Sequence, residues 1–244
     1  AVWELCVRSL KYGVQEVIQD CMDREKGQYL GDGCYTALAH MIATRDPAIA
    51  RKLIDDSLRS AFVNPGLMTC STCSFMQEIA EYPLMLPFTM LAYWRLTGDA
   101  AQLEQWYEPT AAMLDFYRAQ YEHADHLLYD LDKWCVVEWP AEYRDGYDYD
   151  LKEGRICKGT HNVINAYYLG AVMSFNAVAR ILKRPPYRDV RQLYDAYVGA
   201  FYDASRGLFT DSIESEHISM PGNMVAYMYG LCPEARTADN MLML

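Results

Sequence analysis

Four carboxylates and two cations fall within thirteen residues near the amino terminus: Asp20, Asp23, Glu25 and Asp32, with Arg24 and Lys26. Gly27 and Gly31 lie among them and Gly33 follows. Acids this crowded can divide labour, because a carboxyl group among negative neighbours holds its proton to higher pH while one beside a cation stays ionised. General acid chemistry needs that division: one group donates a proton and others stabilise developing positive charge. Glu25 has Asp20, Asp23 and Asp32 close in sequence and is the expected donor, its proton held by like charge. Arg24 and Lys26 oppose that shift if they turn inward. The glycines are expected to let the backbone turn sharply and approach a ligand. A solvated turn whose Asp32 only caps the next helix fits the same spacing.

A second stretch pairs acids with aromatics. Between residues 123 and 160 no helical pattern is sustained, yet Tyr129, Trp134, Trp139, Tyr143, Tyr147 and Tyr149 fall there. Residues 122–155 hold ten acidic and four basic side chains, which is over half of the chain's net charge of −11. So many rings argue against disorder, and a long irregular segment in a domain is then functional. Ring faces stack on the C–H face of a sugar while carboxylates accept from its hydroxyls. Aromatics that plug the top of a helix array give the same composition.

The elements that must position these stretches are helical. Apolar spacing predicts helices over about 1–10, 34–42 and 50–62, then a long one from Ile79 to Leu96 interrupted by Pro83 and Pro87. Thr97-Gly98-Asp99 joins this to a helix running to Tyr121, with Gly98 as C-terminal cap and Asp99 as N-cap. Further helices are expected near 161–182, 190–201 and 217–229. About eight helices in ordered pairs, without strand alternation, predict an all-α array of hairpins.

Composition excludes several functions. A chain of 244 residues, 52% apolar, can bury a full core as one domain. Its acidity argues against a nucleic-acid partner, and no apolar run is long enough to span a membrane. Most of the eight cysteines sit in apolar helical patterns, which leans toward a reducing, cytoplasmic setting. Cys70-Ser71-Thr72-Cys73 lacks a second pair or a histidine at finger spacing, so zinc is set aside. Phosphate loops and G-x-S-x-G elbows are absent.

Asp20-Cys21-x-x-Arg24-Glu25 through Leu30-Gly31-Asp32 resembles the signature loop of bacterial α-L-rhamnosidases, a glycoside hydrolase family. Met22 and Asp23 replace the family's usual Pro-Gln, and Tyr29-Leu30 stands where a Trp precedes the Gly-Asp. Trp134 to Pro140 is similar to a pocket-lining segment, with Glu138 at a usual Asp. The stretch from Gly207 to Ser212, Ser215-Glu216-His217 and Gly230 to Pro233 resemble later pieces, in which a Ser-x-His opens a barrel helix. The resemblance implies an α/α toroid of the six-hairpin glycosidase type and inverting hydrolysis of a terminal deoxy-sugar, with Glu25 as general acid. It assigns substrate binding to Asp20, Arg24, Asp32, Trp134, Glu138, Trp139 and His217. It implies no cofactor or metal, and a rhamnoside-like carbohydrate as partner. Alternatives are another helical-barrel glycosidase or lyase, and a non-catalytic carbohydrate-binding α-hairpin protein. The family's catalytic base lies in a segment beyond Pro233. Residues 1–244 are therefore expected to be a catalytic domain lacking its C-terminal part, inactive alone and open to self-association at the exposed barrel edge.

Overall fold

Helical periodicity becomes helix nearly everywhere it was legible. The computed structural model describes all residues except 68, 72–77, 139–140, 148–150 and 153–155. Among the described residues the helices are α1 (Val2–Gly13), α2 (Leu30–Thr44), α3 (Ala48–Arg59), α4 (Leu86–Thr97), α5 (Ala100–Tyr121), α6 (Asn162–Ile181), α7 (Val190–Phe201), α8 (Met220–Met228) and α9 (Ala235–Met241). Strands there are two-residue antiparallel ladders only: β1 (Gln28–Tyr29) with β2 (Cys70–Ser71), β3 (Leu151–Lys152) with β4 (Ile156–Cys157), and β5 (Tyr202–Asp203) with β6 (Leu208–Phe209). The all-α expectation holds, with α9 added to it. None of these helices is long and apolar enough to cross a membrane.

The chain divides into two units. The first comprises Ala1–Phe116 and Ser174–Tyr187. Its core joins Leu30, Ala37 and Met41 of α2, Leu53, Ile54 and Leu58 of α3, and Leu86, Met90 and Tyr93 of α4, all buried. Each fully buried Leu or Ile stabilises this core by roughly 1.5–3 kcal/mol. Gly33 is small because a Cβ there would stand 2.8 Å from Leu53 Cδ1, closer than packed helices allow. Gly98, at φ 71, caps α4 by donating to the Trp94 carbonyl over 2.7 Å, and Asp99 Oδ1 accepts from Gln102 N at 3.0 Å. That joint forms as its residues predict.

The expected helix from Ile79 does not form. A 3₁₀ turn at Pro83–Met85 precedes α4, and Pro87 lies in the first turn of α4. Proline lacks the N–H that an interior position must donate, so it starts this helix and does not interrupt it. Helix α1 buries none of its residues in the described structure, and Trp3 and Leu5 are exposed.

The second unit comprises Tyr117–Met173 and Arg188–Leu244. Its core holds Tyr168, Tyr197, Phe201 and Phe209, all almost fully buried. Glu122 and Arg188 form an ion pair here, with side chains 6% and 13% exposed. Burial pushes the Glu122 carboxyl up, but hydrogen bonds from Arg188 and Tyr168 outweigh it and hold Glu122 below the usual carboxylate range. Helix α7 starts at Asp189, whose side chain accepts from Arg191 N at 2.9 Å. The described residues between 123 and 160 are without α-helix, as the lost periodicity predicts; a 3₁₀ turn at Ala141–Tyr143 and the β3–β4 ladder are their elements.

Candidate active site

The acidic loop is a closed ring. Asp20 N donates to the Gly27 carbonyl at 2.9 Å, and Gly27 N donates to Asp20 Oδ1 at 2.8 Å. Both ends are anchored. Ile18, 1% exposed, is buried just before the ring, and just after it β1 pairs with β2 and Gln28 Nε2 donates to Asp56 Oδ2 at 3.1 Å. A Cβ at Gly27 would lie 2.7 Å from Cys70 Sγ, so side-chain bulk is excluded where the ring closes.

Inside the ring Glu25 has two partners. Cys21 Sγ donates to Oε2 at 3.0 Å, and Arg24 pairs with Oε1. The Glu25 side chain is 28% exposed and that of Arg24 is 75% exposed. The hydrogen bond from Cys21 and then that from Arg24 hold Glu25 below the usual carboxylate range, and Glu25 in turn raises Arg24. This corrects the expectation that like charges raise Glu25: the ring puts the adjacent cation and the thiol on the carboxylate, and their hydrogen bonds outweigh the upward push of burial.

The glycines also serve differently from the expectation. Gly27, Gly31 and Gly33 have no positive φ; the left-handed residue in the ring is Lys26, at φ 54. Gly31 lets the first turn of α2 meet the Tyr82 ring, 2.6 Å from where a Cβ would sit. Since α2 begins at Leu30 with Tyr29 at its N-cap, Asp32 is not the cap. It is an exposed acid of the first turn, where the helix dipole favours negative charge.

In the second unit Trp134 is half-buried and Glu138 exposed, with Cys135 and Val136 buried between them. Glu138 N donates to the Val136 carbonyl at 2.7 Å across Val137, a β-branched residue at φ 60. Such a backbone is strained. Trp139 lies outside the described residues.

His217 lies in the loop before α8 rather than opening it. The cap is Ser219, whose Oγ accepts from Gly222 N at 3.2 Å. His217 Nδ1 meets Asp211 Oδ2 at 2.6 Å, with the histidine 42% exposed and the aspartate fully buried. Asp211 Oδ1 accepts from Ser219 N at 3.1 Å and Ser219 Oγ at 2.7 Å. The Asp211 carbonyl accepts from Asn162 N and the Tyr147 hydroxyl, each at 2.9 Å. Ser215 Oγ accepts from His217 N at 3.0 Å.

The whole fold has known counterparts. The model of the bacterial alpha-L-rhamnosidase six-hairpin glycosidase domain matches residues 1–243. The chain belongs to this family. The domain is similar in fold to a GH78 family rhamnosidase of Bacillus sp. GL1, with TM-score 0.82 and 17% identity over 98% of this chain and 25% of that one. A rhamnosidase from Klebsiella oxytoca with rhamnose bound aligns at TM-score 0.75 and 15% identity over 98% and 45% of the two chains. An alpha-L-rhamnosidase of Streptomyces avermitilis complexed with L-rhamnose aligns at 0.68 and 14% over 98% and 22%. The chain thus spans less than half the length of each of these three. No curated protein sequence matches it.

In this rhamnosidase-family domain the described residues offer one grouping of metal-capable side chains, Asp20, Cys21 and Glu25, with ligand atoms within 4.8 Å of one another. Arg24 and the Cys21 thiol already occupy the Glu25 oxygens. Sequence reasoning gave Asp211 and Cys21 no role of their own and named Tyr147 only among the aromatics of its stretch. Asp211 lies in the stretch from Gly207 to Ser212, but the chain from there to His217 runs through turn and loop with neither helix nor strand period, so no pattern paired them.

Proposed function

We propose that the domain serves a glycosidase that removes a terminal deoxy-sugar from a glycoside by inversion, and that it supplies Glu25 as general acid. The observation that supports this most is the Asp20–Gly27 ring in a chain of the rhamnosidase family, because it collects Asp20, Arg24 and Glu25 on one short, anchored loop. In the proposed step Glu25 gives its proton to the glycosidic oxygen as the bond to the anomeric carbon breaks, and a second carboxylate activates water on the opposite face. Asp20, Arg24 and Asp32 in the first unit, and Trp134, Glu138, Trp139 and His217 in the second, are proposed to bind carbohydrate. Glu25 held ionised cannot donate, so the reading requires both Cys21 and Arg24 to release it. A sugar hydroxyl that accepts from the guanidinium would draw Arg24 away, and one that takes the place of the thiol at Oε2 would remove the larger influence and let the carboxyl take up its proton.

A second reading, non-catalytic sugar binding, draws on the same lowered Glu25, because an ionised carboxylate is a good acceptor for hydroxyls. A panel of nitrophenyl glycosides separates the two. Hydrolysis of the α-L-rhamnoside above the other sugars, with the inverted anomer seen first by NMR, is the expected outcome. Binding of L-rhamnose without turnover favours the second reading, and turnover of a different glycoside favours another helical-barrel glycosidase.

A further inference from the structure

The buried acid beside His217 has a more defined task than packing. Asp211 is fully buried, and a carboxylate accepts hydrogen bonds without donating any. Its Oδ1 already takes two donors from Ser219, the cap of α8, so Oδ2 is the oxygen left for the imidazole at 2.6 Å. The proton in that contact therefore belongs to Nδ1. A neutral imidazole with Nδ1 protonated exposes a lone pair at Nε2. The Nε2 edge looks toward Gly146, where a Cβ would stand 3.5 Å away, and His217 is 42% exposed. No described residue hydrogen-bonds Nε2.

The surroundings of the Asp211–His217 pair are held from three sides. The Tyr147 hydroxyl bridges the Asp211 carbonyl and Val163 N, at 2.9 and 3.1 Å, and Asp145 Oδ2 accepts from Met220 N at 2.8 Å. Beneath the carboxylate, Asn162 is wholly buried, with its Oδ1 taking the Tyr197 hydroxyl and its Nδ2 without a partner among the described residues. That donor would meet a Cβ at Gly222 at 2.9 Å, so its surroundings leave no space for a larger residue.

We infer that Asp211 is a positioning residue that locks His217 in the Nδ1–H form and thereby makes Nε2 the acceptor for one sugar hydroxyl. This rests on the carbohydrate reading above and adds to it the direction of one hydrogen bond. A site that accepts from a hydroxyl there discriminates against a sugar lacking it, because the imidazole lone pair is then left without a donor.

Tautomer and sugar contact are both readable without turnover. Long-range proton–nitrogen NMR of the protein at about pH 8, where an ordinary imidazole is neutral, should show His217 with the proton on Nδ1. Titration with L-rhamnose should shift its Nε2 resonance. In Asp211→Asn the two Ser219 donors keep the amide oxygen at the Oδ1 position, so the NH₂ group faces Nδ1. The proton should then move to Nε2, and KM for an aryl glycoside should rise roughly tenfold with kcat changed little. Ser219→Ala removes a donor to the same carboxylate but not the one from His217, and should lower stability while keeping both tautomer and KM. The inference is overturned by an Nε2–H wild-type histidine, by an unmoved Nε2 signal at saturating rhamnose, or by Ser219→Ala raising KM as far as Asp211→Asn does. If rhamnose shifts Nε2 but no glycoside is cleaved, the positioning role stands and the hydrolase reading falls.

Discussion

Two loops of this domain are closed by the same device at very different lengths. Asp20 and Gly27 exchange a backbone and a side-chain hydrogen bond around eight residues, and Asp130 and Gly159 do the same around thirty, with matching distances of 2.9 and 2.8 Å. Closure entropy grows as the logarithm of length, so the longer loop costs only about 1 kcal/mol more to close. The larger difference lies in what orders the interior. The short ring needs little beyond its clasp, because eight residues with fixed ends have few arrangements. The long loop takes further pins from distant sequence, Tyr147 to Asp211 and Val163 and Asp145 to Met220, while just outside its clasp Thr160 Oγ1 donates to the Leu128 carbonyl at 2.9 Å. Their glycines differ too. Gly27 is required by the crowding of Cys70, whereas Gly159 is required by its φ of 75. A short ring can carry a group whose charge changes, since its partners are neighbours in the chain and lie near solvent. A long loop pinned by a buried network suits groups that must keep one orientation.

The sharpest way to break that contrast is at Glu25. Glu25→Gln keeps the side chain's shape and leaves the clasp untouched, so the fold should persist while hydrolysis of an unactivated glycoside falls by roughly two to four orders of magnitude. A substrate with a good leaving group needs less protonation and should lose less. Unchanged hydrolysis of the unactivated glycoside would make Glu25 a structural carboxylate of the ring.

Tyr147→Phe tests the long loop instead. The hydroxyl is buried and serves one donor and one acceptor, so its removal leaves Val163 N and the Asp211 carbonyl each short of a partner. A loss of about 2 kcal/mol in urea denaturation is expected, with faster amide exchange in residues 141–147 and none added in the Asp20–Gly27 ring. Equal loosening of both loops would show that the pins do not act locally.

What was legible in the sequence follows the same division. The helices and the Thr97-Gly98-Asp99 joint depend on local period and capping chemistry, and they form as expected apart from the proline-delayed start of α4. The ring was recognisable because its acids and cations lie side by side. The charge state of Glu25 was not, because sequence crowding cannot say that Arg24 and Cys21, rather than Asp20 or Asp32, would reach its oxygens. Asp211 was hidden for a different reason: its partners come from residues 147, 162, 217 and 219, which no short-range pattern links.

The smallest expected effect is the most specific to the ring. Arg24 is 75% exposed, so its pairing with Glu25 is weak and open to screening by salt. Together with the stronger contact from Cys21 it holds Glu25 below the usual carboxylate range. A general acid works only while protonated, so whatever stabilises its ionised form brings the alkaline limb of kcat/KM to lower pH. Arg24→Met removes one such influence, and the limb should move to higher pH while Cys21 keeps part of the shift. The position of the limb is the quantity to compare, since loss of Arg24 could also alter KM. Added salt should move the wild-type limb in the same direction and leave that of Arg24→Met nearly still. Asp211, enclosed and fully desolvated, should transmit no such salt dependence to the tautomer of His217. A wild-type limb indifferent to salt, coincident with that of the variant, would mean that Arg24 does not govern Glu25 in the working protein, and the short ring would then be as fixed as the long loop.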